Sequence, residues 1–187
     1  MAKVLLTGGC GYIGSHTLVD LLDNGFEVVV VDNNVRSDIR VLDVVERITG
    51  KSVGRAQVDL CDKVALSAVF DRSEVLGVIH FAAYKSVPES TENPLMYYQN
   101  NLIGLLNILE CMQERQLSNL IFSSSCSVYG NTLTLPVKED TPVNEAQSPY
   151  ARTKQMCEAI IRDFAQANPT NNSIILRYFN PGGAHPS

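Results

Sequence analysis

The chain has 187 residues, of which 45% are apolar and 19% charged, with a net charge of -5 at pH 7. That composition specifies a folded globular domain with a sizeable core and argues against intrinsic disorder. The negative charge argues against nucleic acid or an anionic membrane as the main partner, and no apolar run approaches the roughly 20 residues of a membrane span.

The N-terminal stretch MAKVLLTGG has one basic residue and a short apolar run ending in glycines, so it reads as a first strand rather than a signal peptide. A strand is predicted over residues 3–6 and a helix over 12–24. Between them lies Thr7-Gly8-Gly9-Cys10-Gly11-Tyr12-Ile13-Gly14. Gly9, Gly11 and Gly14 satisfy G-x-G-x-x-G, and Gly8, Gly11 and Gly14 satisfy the wider G-x-x-G-x-x-G. Such a turn, opening a helix straight after a strand, lets a pyrophosphate approach the backbone and meet the N–H groups of the helix N-terminus.

The second strand is predicted over 27–32 and ends in Asp32, 18 residues beyond Gly14. A carboxylate there accepts hydrogen bonds from an adenosine ribose and repels a 2′-phosphate, which favours NAD over NADP. Arg36, close by, is a residue type that can receive that phosphate.

Further strands are predicted over 53–58, 77–81, 119–123 and 173–178, with helices over 39–49, 63–71, 94–115 and 150–167. In the last helix Met156, Ile160 and Phe164 form an apolar stripe with Cys157 and Ile161 beside it. Strand–helix alternation with runs such as VVVVD implies a parallel sheet covered on both faces. Right-handed crossovers then give an α/β doubly wound, Rossmann-like sheet of about six strands ordered 3-2-1-4-5-6. Ligands of such sheets bind at the carboxyl ends of the strands. Two long connections leave those ends, over 82–93 and 124–148, and loops of that length usually carry function. No repeat, linker or low-complexity tract divides the chain, so residues 1–187 are read as one domain.

Cys10, Cys61, Cys111, Cys126 and Cys157 are scattered, odd in number and without C-x-x-C spacing, which points to free thiols in a reducing cytoplasm. His16, His80 and His185 form no metal motif, and no metal site is expected.

Ser148-Pro149-Tyr150-Ala151-Arg152-Thr153-Lys154 opens the last helix. Ser148 suits the N-cap and Pro149 the first helical position. Tyr150 and Lys154, at i and i+4, share a face, so their polar heads can meet. An ammonium near a phenol favours the phenolate, and phenolate is the form a tyrosine needs to act as a base.

The glycine turn, Asp32, the serine run after the fifth strand and Tyr-xxx-Lys occur in one order. With VLLTGGCGYIGSH, VVVVDN, VIHFAAYKSVPES, PLMYYQNN, FSSSCSVYG, QSPYARTK and LRYFNPGGAHPS, the sequence resembles the extended short-chain dehydrogenase/reductase family over nearly its whole length. Within that family it is most similar to the UDP-glucose 4-epimerases. The resemblance implies NAD-dependent interconversion of UDP-glucose and UDP-galactose by transient oxidation at sugar carbon 4, a step of galactose metabolism. It implies Tyr150 as base, Ser125 on the reacting hydroxyl and Lys154 on the nicotinamide ribose.

By the same resemblance Gly8, Gly11, Tyr12, Ile13, Gly14, Asp32, Asn33, Ser37, Asp59, Leu60, Phe81, Ala82, Ala83, Lys85, Asn100, Ser123, Tyr150, Lys154 and Tyr178 would hold the cofactor. Lys85, Ser125, Tyr150, Phe179 and Asn180 would meet the sugar. Structural alternatives stand beside three of these: Asp59 and Asn100 could be structural, Asp59 by capping the next helix, although Asp62 could do so instead, and Lys85 with Tyr84 could be solvated loop residues. Ala83 stands where the family often has Gly, which demands that its backbone avoid positive φ.

Dehydratase and decarboxylating relatives tend to carry a carboxylate after the serine or threonine that follows the fifth strand. Here Ser125-Cys126-Ser127-Val128 has none, which favours epimerisation. The other readings are a nucleotide-sugar dehydrogenase or reductase that releases reduced cofactor, and a non-catalytic NAD-binding fragment. Family members continue past GAHPS into a smaller lobe that grips uracil and pyrophosphate and adds a strand. The sequence is therefore expected to be a truncated form lacking that substrate lobe. NAD binding should survive and turnover should be very weak or absent. Apolar surface near the sixth strand should favour a homodimer or other self-association.

Overall fold

A computed structural model describes residues 3–133 and 135–186. Met1, Ala2 and Ser187, which fall in the first and last motifs quoted above, lie outside those residues. Six strands form one parallel sheet: β1 (Lys3–Thr7), β2 (Glu27–Val31), β3 (Gly54–Ala56), β4 (Val75–His80), β5 (Asn119–Ser125) and β6 (Asn172–Tyr178). Their order is β3-β2-β1-β4-β5-β6, as the alternation and crossover handedness require. β1 pairs on one side with β2, Thr7 beside Val31, and on the other with β4, Thr7 beside His80. The chain thus leaves β2 and β4 on either side of the β1 end, which makes that end the switch point.

Helices α1 (Tyr12–Asp23) and α2 (Arg40–Thr49) cover one face, and α3 (Lys63–Asp71), α6 (Gly104–Glu114) and α7 (Pro149–Ala167) cover the other. β1 shows why both faces are apolar. Val4 and Leu6 pack with Leu18, Leu22 and Leu42, while Leu5 packs with Leu66, Ile108 and Phe122. β6 closes the sheet at one edge, and Ile174 and Leu176 on its outer face are exposed.

Several sequence expectations need correction. The third strand is three residues rather than six, because Val53 and Val58 fall outside the ladder. The connection over 82–93 contains a short helix, α4 (Val87–Glu92), started by Ser86, whose hydroxyl accepts from the Glu89 N–H. The helix predicted over 94–115 is composite: α5 (Pro94–Tyr98), a π-helical segment (Gln99–Ile103), then α6. Ser124 and Ser125 belong to β5, and a 3-10 turn (Cys126–Tyr129) follows directly. In α7 the buried face runs through Lys154, Cys157, Glu158 and Ile161. Met156 is 41% exposed, and Ile160 and Phe164 only flank the core. The apolar stripe is displaced because two charged side chains, Lys154 and Glu158, take core-facing positions.

Candidate active site

β1 delivers the chain into the turn Gly8–Gly11. Gly8 has φ +71°, a left-handed backbone that favours glycine, and its N–H donates to the Val31 carbonyl at 2.9 Å. A Cβ on Gly14 would lie 2.2 Å from the Gly8 oxygen, so the first turn of α1 rests directly on the loop. Gly8 and Gly14 thus shape the turn, and Gly9 is constrained as well, since a Cβ there would lie 2.7 Å from the Val30 side chain. The α1 N-cap, Gly11, has no side chain to satisfy the first N–H groups, whereas Asp62, Ser86 and Ser148 cap α3, α4 and α7 with theirs. Unsatisfied N–H groups and the positive end of the helix dipole then face the crevice, an arrangement suited to a diphosphate.

Asp32 follows β2 and is held by the chain's own donors. One oxygen accepts from the Cys10 N–H at 3.1 Å, and the other from the Asn34 N–H at 3.0 Å and the Ser37 hydroxyl at 2.8 Å. Asn33 donates to Asp59 at 3.1 Å, which joins the ends of β2 and β3. Asp62 caps α3 through Ala65, so Asp59 is free of that duty and accepts from the Cys61 N–H instead. Burial pulls the Asp59 carboxyl upward, but bonds from Cys61 and Asn33 outweigh it and leave it below the ordinary range. Ala83 has no positive φ, as its side chain requires.

β5 and α7 supply the other half. Ser148 accepts from the Ala151 N–H at 3.1 Å and Pro149 begins the helix. Lys154 is buried, donates to the Ser123 carbonyl at 2.7 Å and lies over the Phe122 ring at 4.7 Å. Burial lowers its pKa to about 8, against the opposing charges of Cys157 and Glu158. The Ser125 hydroxyl accepts from the Ser127 N–H at 3.2 Å. The Tyr150 phenol is pushed above its ordinary range by burial, and a hydrogen bond with Ser125 opposes this. The effect expected from Lys154 is not what moves the phenol here, because the ammonium is directed at β5.

Two sets of supports were not visible in the sequence. Glu158, one turn beyond Lys154 and 2% exposed, accepts from Ser124 at 2.6 Å, from Arg177 at 2.9 and 2.8 Å and from Arg162 at 2.7 Å. Asn101, in the π-helical segment, accepts from the Tyr84 N–H at 2.8 Å. It donates to the Tyr84 carbonyl at 3.0 Å and to Thr153 of α7 at 3.1 Å. π-helical insertions commonly mark functional sites, and this one fixes the loop after β4 against the helix bearing Tyr150.

Every candidate residue named from the sequence lines one crevice of about 770 Å³, from Gly8 and Asp32 at one end to Ser125, Tyr150, Phe179 and Asn180 at the other. Tyr84, Lys85, Cys126 and Ser127 line it too. Among the described residues no three His, Cys, Asp or Glu side chains gather to hold a metal ion, and no helix is long and apolar enough to cross a membrane.

A doubly wound sheet that gathers these groups at its switch point is the fold of the short-chain dehydrogenases/reductases. Comparison narrows the class: the chain belongs to the NAD dependent epimerase/dehydratase family, whose pattern matches residues 4–187. It is 49% identical over 188 residues to UDP-glucose 4-epimerase uge1 of Schizosaccharomyces pombe, covering 98% of this chain and 53% of that protein. It is 47% identical over 184 residues to UDP-glucose 4-epimerase of Bacillus subtilis, covering 98% and 54%. The crystal structure of UDP-glucose 4-epimerase from Bifidobacterium longum in complex with NAD+ and UDP superposes with a TM-score of 0.97 at 43% identity, covering 98% of this chain and 55% of that one. The chain thus spans about half the length of the relatives it matches.

Proposed function

We propose that residues 1–187 act as one NAD-binding domain and carry the oxidation chemistry of a UDP-glucose 4-epimerase. The observation that carries this reading is convergence: Ser125, Tyr150 and Lys154 line the same crevice as the uncapped α1 N-terminus and the Gly8–Gly14 contact. The glycine turn fits the cofactor because a side chain at Gly14 would fill the loop on which the diphosphate rests.

Gly8, Gly11 and Gly14, with Tyr12 and Ile13, form the diphosphate cradle. Asp32, Asn33, Ser37, Asp59 and Leu60 would hold the adenosine. Phe81, Ala82, Ala83, Lys85, Asn100, Ser123, Lys154 and Tyr178 form the walls toward the nicotinamide. When bound, NAD supplies the hydride acceptor for carbon 4 of the sugar and a positive charge that favours phenolate at Tyr150. Tyr150 then takes the proton of the carbon-4 hydroxyl, and Ser125 orients that hydroxyl. Lys85, Phe179 and Asn180 flank the sugar. Tyr150 would then return its proton to the carbon-4 oxygen of the sugar, which completes the epimer.

Epimerisation is favoured over elimination by the carboxylates of the crevice. Asp32, Asp59 and Glu89 are each bonded to the chain's own donors, and Cys126 and Ser127 follow Ser125 where an acid would be needed. The five cysteines are free thiols, which fits a reducing cytoplasm. The exposed Ile174 and Leu176 support association with a second copy or another polypeptide.

Calorimetric titration of NAD followed by a UDP-galactose conversion assay on the 187-residue chain tests the reading. NAD binding is expected, and any turnover should fall by 10²–10⁴ in Tyr150→Phe while NAD affinity holds. Absence of NAD binding would refute the reading. Binding without conversion would leave this half as a cofactor-binding unit only.

A further inference from the structure

The loop after β2 and the segment after β4 stand on opposite sides of the β1 end. Between them the Arg36 guanidinium bonds the Glu89 carboxylate at 2.5 Å, so the pair spans the crevice from rim to rim. Glu89 is not a loose surface partner. Its second oxygen accepts from the hydroxyl of Tyr97 at 2.7 Å, and Tyr97 is fully buried. The same hydroxyl accepts from the Ser86 N–H at 3.0 Å, which fixes it at the start of α4. The same segment engages Arg36 a second time, its guanidinium lying over the Tyr84 ring at 5.2 Å. Its neighbour Ser37 donates to Asp32 at 2.8 Å, so the Arg36 loop wraps the carboxylate that faces the adenosine ribose.

An arginine beside that ribose is the group that recognises a 2′-phosphate, because its planar fork matches phosphate as well as carboxylate. Arg36 is the only arginine among the described residues that line the crevice. We propose that Glu89 sets the dinucleotide preference of the crevice by holding Arg36 across its mouth and withholding that guanidinium from a 2′-phosphate. On this account the preference for NAD has two parts. Asp32 repels the phosphate, and Glu89 occupies the cation that would have welcomed it. The proposal rests on the NAD-binding reading above and adds a residue that reaches the cofactor through another.

The test is the dissociation constants of NAD and NADP, measured by calorimetry on the parent chain and on Glu89→Gln, Arg36→Gln and the double variant, with circular dichroism to verify folding. Glu89→Gln is expected to shift the NADP-to-NAD affinity ratio at least fivefold toward NADP, and Arg36→Gln added to it should restore the parent ratio. Arg36→Gln alone should not shift the ratio toward NADP, because the guanidinium it removes is already engaged and the Glu89 carboxylate it frees adds only repulsion. An unchanged ratio in a folded Glu89→Gln chain overturns the proposal, as does a shift that survives in the double variant. A ratio shifted toward NADP by Arg36→Gln alone also overturns it, and this arm holds even if Glu89→Gln fails to fold. A parent chain that binds neither dinucleotide refutes the cofactor reading itself, whereas NAD binding with no dependence on Glu89 refutes this inference alone.

Discussion

The Glu158 carboxylate receives the Arg177 guanidinium through two parallel bonds, Nε at 2.9 Å and Nη2 at 2.8 Å. Burial pushes the Glu158 carboxyl up, but the bonds from Arg177 and Ser124 and the charges of Arg177 and Arg162 outweigh that and hold it below the usual range. Removing one member of a buried pair leaves the other uncompensated, so Glu158→Ala is expected to cost about 3 kcal/mol in urea denaturation. Glu158→Ala combined with Arg177→Met should cost less than the sum of the two single changes, because no orphaned charge remains.

Gly14→Ala tests the contact on which the glycine turn, the proposed phosphate cradle, depends. The new Cβ would fall 2.2 Å from the Gly8 oxygen and 2.8 Å from the Gly9 Cα, both backbone atoms. A loss of about 1–3 kcal/mol is expected from overpacking, together with a loss of NAD affinity by calorimetry. Gly182→Ala, where a Cβ meets nothing within 4 Å, should leave stability and affinity unchanged.

His80 gives the fold a dependence on mild acid. Its ring is fully buried, shares a 2.6 Å hydrogen bond with the Thr7 hydroxyl, and is pushed down to about 3 by burial and by the Lys154 charge. An unfolded His takes up a proton near 6.5 and the folded one does not, so stability falls as pH drops from 6.5 toward 3. Between pH 7.5 and 5.5 the contribution is about 1.4 kcal/mol, read from urea midpoints at each pH. His80→Asn should remove that slope. Carboxylates such as Glu158, held below their usual range, act only at lower pH.

Lys154 works in the opposite pH range. Burial lowers it to about 8, so above that pH the folded chain releases a proton that the unfolded chain keeps until near 10.5. Stability therefore rises with pH as the cost of the buried ammonium is relieved. Relative to Lys154→Met, the parent chain should gain about 1.4 kcal/mol between pH 7 and 9, which chemical denaturation at the two pH values can measure.

The sheet order and the glycine turn were legible because their signals are local: apolar runs alternate with helical periods, and the glycines lie within one loop. Asp62 and Ser148 were legible as caps for the same reason. What escaped depends on partners far apart in the chain. Glu158 meets a residue 19 positions away, Asn101 one 52 away and Arg36 one 53 away. Lys154 and Glu158 sit where a periodicity argument places solvent-facing charge, yet bonds from β5 and β6 bring them inside. The burial that raises the Tyr150 phenol is not legible in the sequence, because spacing reveals a shared helical face but not the direction of a long side chain or what surrounds it.

The π-helical segment Gln99–Ile103 acts as a gear change between two helices on one axis. Each residue advances an α-helix by about 100°, so one residue more or fewer there would turn everything downstream by that angle. Tyr97 before the segment serves α4 and Asn101 within it serves α7, while Leu105, Ile108 and Met112 beyond it serve the core. A single-residue deletion would make a smoother helix, but it could keep only one of these two sets in phase.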